Sequence, residues 1–223
     1  MSSPGVAIAL VMTLLLASMA VLSAGVRRFG VSPESVRKLL HIEMGLVTLA
    51  FPWLFSAAWP VIALACAAAA WFGLLRASIW LEARFGKALH AAGRGGWGEI
   101  WFTCGICLTF LLSAGEPVAY CIAVLVLALA DAAAALVGQR FGRARCMPGG
   151  ARKSAAGSCA FFVVAFAVAW IGLYAAMGLP LPHALRAALL VAAVTAALEA
   201  VFGDGLDNLF VPLGALAALE VAA

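Results

Sequence analysis

Pro117-Val-Ala-Tyr-Cys-Ile-Ala-Val-Leu-Val-Leu-Ala-Leu-Ala-Asp131-Ala-Ala-Ala-Ala-Leu-Val-Gly138 is an apolar run interrupted by a single charge. At 1.5 Å per residue it is long enough, as a helix, to cross the roughly 30 Å hydrocarbon layer of a bilayer. No stretch of the chain shows the ten-residue alternation of a barrel strand, and backbone in lipid must satisfy its own hydrogen bonds. A helical span is therefore the only structure open to this segment, and its one acid has to be explained by function or by a partner.

Working outward, further apolar stretches recur at about 5–26, 42–57, 59–80, 100–114, 156–178, 184–202 and 208–223, those at 42–57, 100–114 and 208–223 being shorter. With 66% hydrophobic residues, 11% charged and a mean hydropathy of +1.11 over 223 residues, the chain is not an ordinary soluble domain. The expectation is an all-α, polytopic bundle of about eight transmembrane helices, forming a single domain over 1–223. No linker, low-complexity tract or internal repeat divides it.

The net charge of +4 is explained by where the charges sit, without nucleic acid. If eight helices alternate, the loops at 26–41, 81–99, 139–155 and 203–207 share one side. Arg27, Arg28, Arg37, Lys38, Arg84, Lys87, Arg94, Arg140, Arg143, Arg145, Arg152 and Lys153 fall there, while the opposite connections have only Arg186 close by. The positive-inside rule makes the basic side cytoplasmic and puts both termini on the other side. The first apolar run has its basic pair after it rather than before it, which favours an uncleaved first helix over a cleaved signal peptide. Topology alone accounts for most of these charges.

Cys66, Cys104, Cys107, Cys121 and Cys159 lie within or at the ends of apolar helices, where cysteine behaves as a small apolar residue. Cys104 and Cys107 form a C-x-x-C, but a zinc site needs further ligands that the sequence does not supply. Between the first two spans, Ser32-Pro33-Glu34 has the order of a helix start and predicts a short helix carrying Arg37, Lys38 and His41 on one face. A juxtamembrane basic anchor explains the same residues. His90 lies in a glycine-rich polar connection and is assigned no role.

Asp131 lies seven residues before Gly138, about 10 Å down its helix from the basic side. A charged acid at mid-span costs roughly 2.5–3.5 kcal/mol on insertion scales, so Asp131 must face a partner, a metal or water. Glu199 sits about 6 Å below Gly203 on the same reasoning, with Asp204, Asp207 and Asn208 following. Such oxygen donors suit magnesium, with Asp131 and Asp207 the leading ligands. The plainer alternative pairs Asp131 and Glu199 with arginine or lysine to lock helices together.

The loop from Gln139 to Lys153 carries Arg140, Arg143, Arg145, Arg152 and Lys153 with no acid, and Ser154-Ala-Ala-Gly157-Ser158 opens the next span. Helix N-terminal N–H groups, close-approaching glycine and serine hydroxyls together favour a polyphosphate. No G-x-x-x-x-G-K-[ST] occurs, so a P-loop is excluded.

Four pieces in order, Arg37-Lys38-Leu-Leu-His41, Asp131 through Gly138-Gln-Arg-Phe-Gly142, Lys153-Ser154-Ala-Ala-Gly157-Ser158, and Glu199 with Gly205-Leu-Asp207-Asn208-Leu-Phe-Val-Pro212-Leu213, resemble the polyprenol kinase family. That family includes dolichol kinases, phytol kinases and CTP-dependent diacylglycerol kinases, and the resemblance spans about 35–215. It implies transfer of the CTP γ-phosphate to a lipid alcohol at the cytoplasmic face of the membrane, with a divalent metal, Mg2+, as cofactor. Asp131 and Asp207 would hold the metal. Lys153, Arg140, Arg37 and Lys38 would bind phosphate, helped by Gly138, Gly142, Ser154, Gly157, Ser158 and Asn208. Glu199 or His41 would take the alcohol proton. Many relatives carry glutamate at the position of Ala156; phytol kinase-like relatives resemble this chain in having alanine, which favours an isoprenoid alcohol over diacylglycerol.

Two rival readings remain. A phosphatidate cytidylyltransferase also joins CTP, metal and a membrane lipid but attacks the α-phosphate, and its C-terminal signature differs from Gly205-Leu-Asp207-Asn208-Leu-Phe-Val-Pro212. A small ion-coupled transporter would place its acids at mid-membrane on an alternating-access path, whereas these gather towards one face.

Overall fold

A computed structural model of the chain describes residues 3–29, 33–77, 97–142, 145–146 and 152–222. Among these, eight long helices and one short one follow in order: α1 Pro4–Phe29, α2 Pro33–Thr48, α3 Phe51–Leu54, α4 Trp59–Ala77, α5 Gly98–Leu112, α6 Pro117–Phe141, α7 Ala155–Ala176, α8 Leu181–Val201 and α9 Asp207–Ala222. Helices α6, α7 and α8 are each long and apolar enough to cross a membrane, and Pro4–Ser18, Trp59–Leu74 and Gly98–Leu112 are shorter apolar segments.

Two boundaries differ from expectation. The short basic helix and the second span are one continuous helix, α2, which stops at Thr48 rather than running to 57. Pro52 follows closely, and proline removes a backbone donor and crowds the preceding turn, so the chain restarts as the single turn α3. The basic loop after α6 also contains a two-residue antiparallel ladder, β1 Arg145–Cys146 against β2 Arg152–Lys153, with Arg145 opposite Lys153. Arg84, Lys87, His90, Arg94 and Arg143 lie outside the described residues.

The core runs the length of the bundle and is built from small and β-branched residues. Ala123, Val124, Val126, Leu127 and Ala130 of α6, Ala165 and Ala169 of α7, Ala188, Val191 and Ala192 of α8, and Val211 and Ala215 of α9 lie in one buried cluster. Alanine on facing helices permits the close approach that membrane bundles rely on, because lipid supplies no hydrophobic drive between helices. Around this centre α7 packs on α6 and α8, α8 on α9, α9 on α5, and α4 on α5; α2 lies against α1 and α6. Ala7 and Val11 bring α1 into the same core.

Helix α6 carries a π turn at Val126–Ala130, immediately before Asp131. One extra residue in a turn rotates everything after it, so the turn sets the direction in which Asp131 points; such insertions are frequent at functional sites. Opposite the turn, a Cβ added at Gly45 of α2 would stand 2.6 Å from the Ala128 Cβ. Gly45 thus brings α2 against the π turn. Tyr120, fully buried, donates to the Thr48 carbonyl at 3.0 Å and ties the other end of α2 to α6.

Candidate active site

The amino-terminal ends of α2, α7 and α9 meet the carboxy-terminal ends of α6 and α8 at one end of the bundle, and the charged side chains gather there in two groups. The deeper group joins α2 to α6. Lys38 donates to Asp131 Oδ2 at 2.5 Å, and His41 Nε2 lies 3.4 Å from the same oxygen and 3.4 Å from the Leu127 carbonyl. The Phe102 ring on α5 packs against the imidazole in a T-shaped arrangement, with ring centroids 4.8 Å apart. Lys38 and Phe102 are both buried. Lys38 and His41 share a face because residues three apart on a helix are neighbours.

The second group lies at the helix ends. Lys153, which closes β2, donates to Glu199 Oε1 at 2.9 Å, to Asp207 Oδ2 at 3.1 Å and to the Glu199 carbonyl. Ser158 donates to Glu199 Oε2 at 3.4 Å. Asp207 also accepts from the Asn208 N–H through Oδ1 at 3.1 Å. Burial acts to lower the pKa of the Lys153 ammonium, but Asp207 and then Glu199 outweigh it, and the group is held above its ordinary range. Asp131 and Glu199, both embedded in helices, thus have ammonium partners. That is what low-dielectric surroundings require of a buried carboxylate.

The small residues between these groups serve packing. A Cβ at Gly138 would come within 3.0 Å of Ser154 Oγ, one at Gly142 would overlap Ser154 and the Gly138 carbonyl, and one at Gly157 would meet the Ala134 carbonyl at 2.8 Å. The end of α6 thus lies flush on the start of α7, with Ser154 as the N-cap of α7, its hydroxyl accepting from the Gly157 N–H at 3.1 Å. Asn208 donates to the Gly98 carbonyl at 2.9 Å and ties α9 to α5. Arg140 is exposed, its guanidinium 5.5 Å from the Phe141 ring centroid. Asp204 is exposed in the turn between α8 and α9, at φ +54°. The side chains of Arg37 and Arg152 lie outside the described residues.

Asp131 and Asp207, which the sequence singles out as a pair, are each bound by a different lysine, and it is Glu199 that shares Lys153 with Asp207. Among the described residues no three His, Cys, Asp or Glu side chains converge as a metal cage. Magnesium does not need one, since it takes one or two carboxylates and completes its shell with phosphate oxygens and water. Glu199 and Asp207 already accommodate a cation, the Lys153 ammonium, within 3.1 Å of both carboxylates. The donor set fits a magnesium ion that arrives with a polyphosphate. The cysteines described, Cys66, Cys104, Cys107, Cys121 and Cys159, are all free.

Phe102, Leu127 and the Asn208–Gly98 tie carry no sequence signal: an aromatic or a leucine in an apolar helix reads as core, and the 3.4 Å approach of His41 to Leu127 spans 86 residues.

A helical membrane protein with two lysine-neutralised carboxylate groups gathered at one end of its bundle is the class that fold and site define. Over 190 residues, 84% of its length, the chain is 35% identical to a phytol kinase of Synechocystis sp., of which the match covers 79%. It belongs to the polyprenol and phytol kinase family. No protein-family model and no solved structure matches the chain.

Proposed function

We propose that this protein is a CTP-dependent membrane kinase that phosphorylates the hydroxyl of an isoprenoid-type alcohol, phytol or a related prenol. The observation that carries the reading is the pair of lysine-bound carboxylate groups on the segments through which the chain resembles lipid alcohol kinases. Phosphoryl transfer depends on positioning and charge neutralisation more than on covalent chemistry. Lys153, Arg37 and Arg140 bind phosphate oxygens in this scheme, Lys38 neutralises Asp131, and the N-terminus of α7 adds its dipole. Asp207 and Glu199, which share the Lys153 ammonium, are the proposed holders of magnesium in place of the Asp131 and Asp207 pair expected from sequence, and the ion would neutralise charge on the phosphates. Of the two candidate bases, His41 takes the alcohol proton, since Glu199 is engaged with Lys153. The active site faces the cytoplasm of the cell inner membrane and both termini lie on the other side, on the strength of the basic loops. The isoprenoid tail stays among the helices, so that only its hydroxyl reaches the charged groups.

Purified protein supplied with radiolabelled CTP and phytol should release CDP and give a phosphorylated alcohol, and Asp131→Asn should abolish this while still inserting into the membrane. Release of pyrophosphate would identify a cytidylyltransferase instead. Solute flux in liposomes without nucleotide would identify a transporter.

A further inference from the structure

The two charged groups lie at different depths. Glu199 is two residues from the end of α8, Asp207 is the first residue of α9, and Lys153 precedes α7, so this outer group lies at the level of the helix ends. Asp131 lies ten residues before the end of α6, about 15 Å inside it, and His41 lies eight residues into α2, about 12 Å by the same rise. Close packing of Gly138 and Gly142 on Ser154 and Gly157 fixes the relative height of α6 and α7, leaving Asp131 roughly two turns below Gly138.

Depth separates the two substrates. A nucleoside triphosphate carries several negative charges and cannot be drawn far into hydrocarbon, whereas a lipid alcohol is neutral and its hydroxyl rides on an apolar tail. The surroundings of the inner group match the second. His41 is bounded by the buried ring of Phe102 and by the π turn at Leu127, and Met44, one turn further along α2, packs with Phe72, Trp71 and Ile100 in an apolar cluster of α2, α4 and α5. An imidazole braced by an aromatic ring and lying beside a carboxylate is a directional partner for one hydroxyl.

We infer that the inner group is the acceptor subsite: His41, held beside Asp131, hydrogen-bonds the hydroxyl of the lipid alcohol, and Phe102 is the positioning residue that fixes the imidazole. The outer group of Lys153, Glu199 and Asp207 meets the nucleotide. This rests on the phosphotransfer reading above.

The test has a binding arm that needs no turnover. A diazirine-bearing farnesol, irradiated with the full-length protein in nanodiscs without nucleotide and competed with unlabelled farnesol, should label peptides from 33–48 and 98–112. Competable labelling confined to 152–158 or 199–208 would overturn the assignment whether or not the protein turns over CTP. In the kinetic arm, Phe102→Leu should raise the KM for the alcohol about tenfold and leave that for CTP unchanged, with Phe102→Tyr restoring it. Equal changes in both KM values, or none in an unaltered thermal unfolding background, would remove Phe102 from the acceptor subsite.

Discussion

Lys153 is the residue on which most of the outer group depends. Its side chain is only 15% exposed and it meets two carboxylates and a carbonyl at once. Removing one member of a buried ionic cluster leaves the others uncompensated, so Lys153→Met should cost about 3–5 kcal/mol of stability and abolish activity. Because the folded pKa of Lys153 is raised, its stabilisation is fully present below the ordinary lysine value of 10.5 and is lost as pH rises through the higher folded value. Thermal unfolding of the wild type should therefore be flat in this contribution through neutral pH and fall only in strong alkali. Unfolding curves of wild type and Lys153→Met should converge there, and a gap that closes between pH 6 and 8 would refute the assignment. Asp131, Glu199, Asp207 and Lys153 were all legible as chemistry-bearing residues, since charge in or beside an apolar run demands an explanation. Their partners were not. Lys38 reads as a phosphate ligand, but it reaches Asp131 across 93 positions.

At the scale of elements, the seam between α6 and α7 decides whether the charged groups keep their heights. Gly142 has φ −83°, a value any residue adopts, so what the position demands is space. A methyl group there would overlap the backbone carbonyl of Gly138 as well as Ser154, and backbone cannot rotate aside. Gly142→Ala should cost about 1–3 kcal/mol through overpacking, read by thermal unfolding in detergent. Alanine at this position with unchanged stability would show that the seam does not carry the register. Gly138, Gly142 and Gly157 resemble phosphate-cradling residues in sequence, and the structure engages them in helix contact because glycine permits either. The helices themselves were legible to within about three residues of their ends, apart from α2, where a basic first half and an apolar remainder read as two elements. The π turn before Asp131 left no trace in an apolar run that suits any helical winding.

For the whole molecule, the basic loops predict an orientation, and two exposed turns at opposite ends test it. Ser56 lies between α3 and α4, and Asp204 between α8 and α9. In a cysteine-free background, Ser56→Cys should react with a membrane-impermeant thiol reagent in intact cells, and Asp204→Cys only after the membrane is opened. The reverse pattern would put the charged end of the bundle outside and rule out a cytoplasmic nucleotide. Composition and hydropathy by themselves determined that this chain is a helical bundle for lipid, and the order of its charged pieces determined its family. A bilayer leaves so few permitted structures that pattern suffices for both. Only the tertiary structure decided which lysine neutralises which acid, that Asp207 meets Glu199 on one ammonium, and that His41 lies deep beside Phe102. Those pairings depend on crossing, rotation and height between helices far apart in the chain, and these are set by glycine contacts and a π turn that apolar periodicity does not encode.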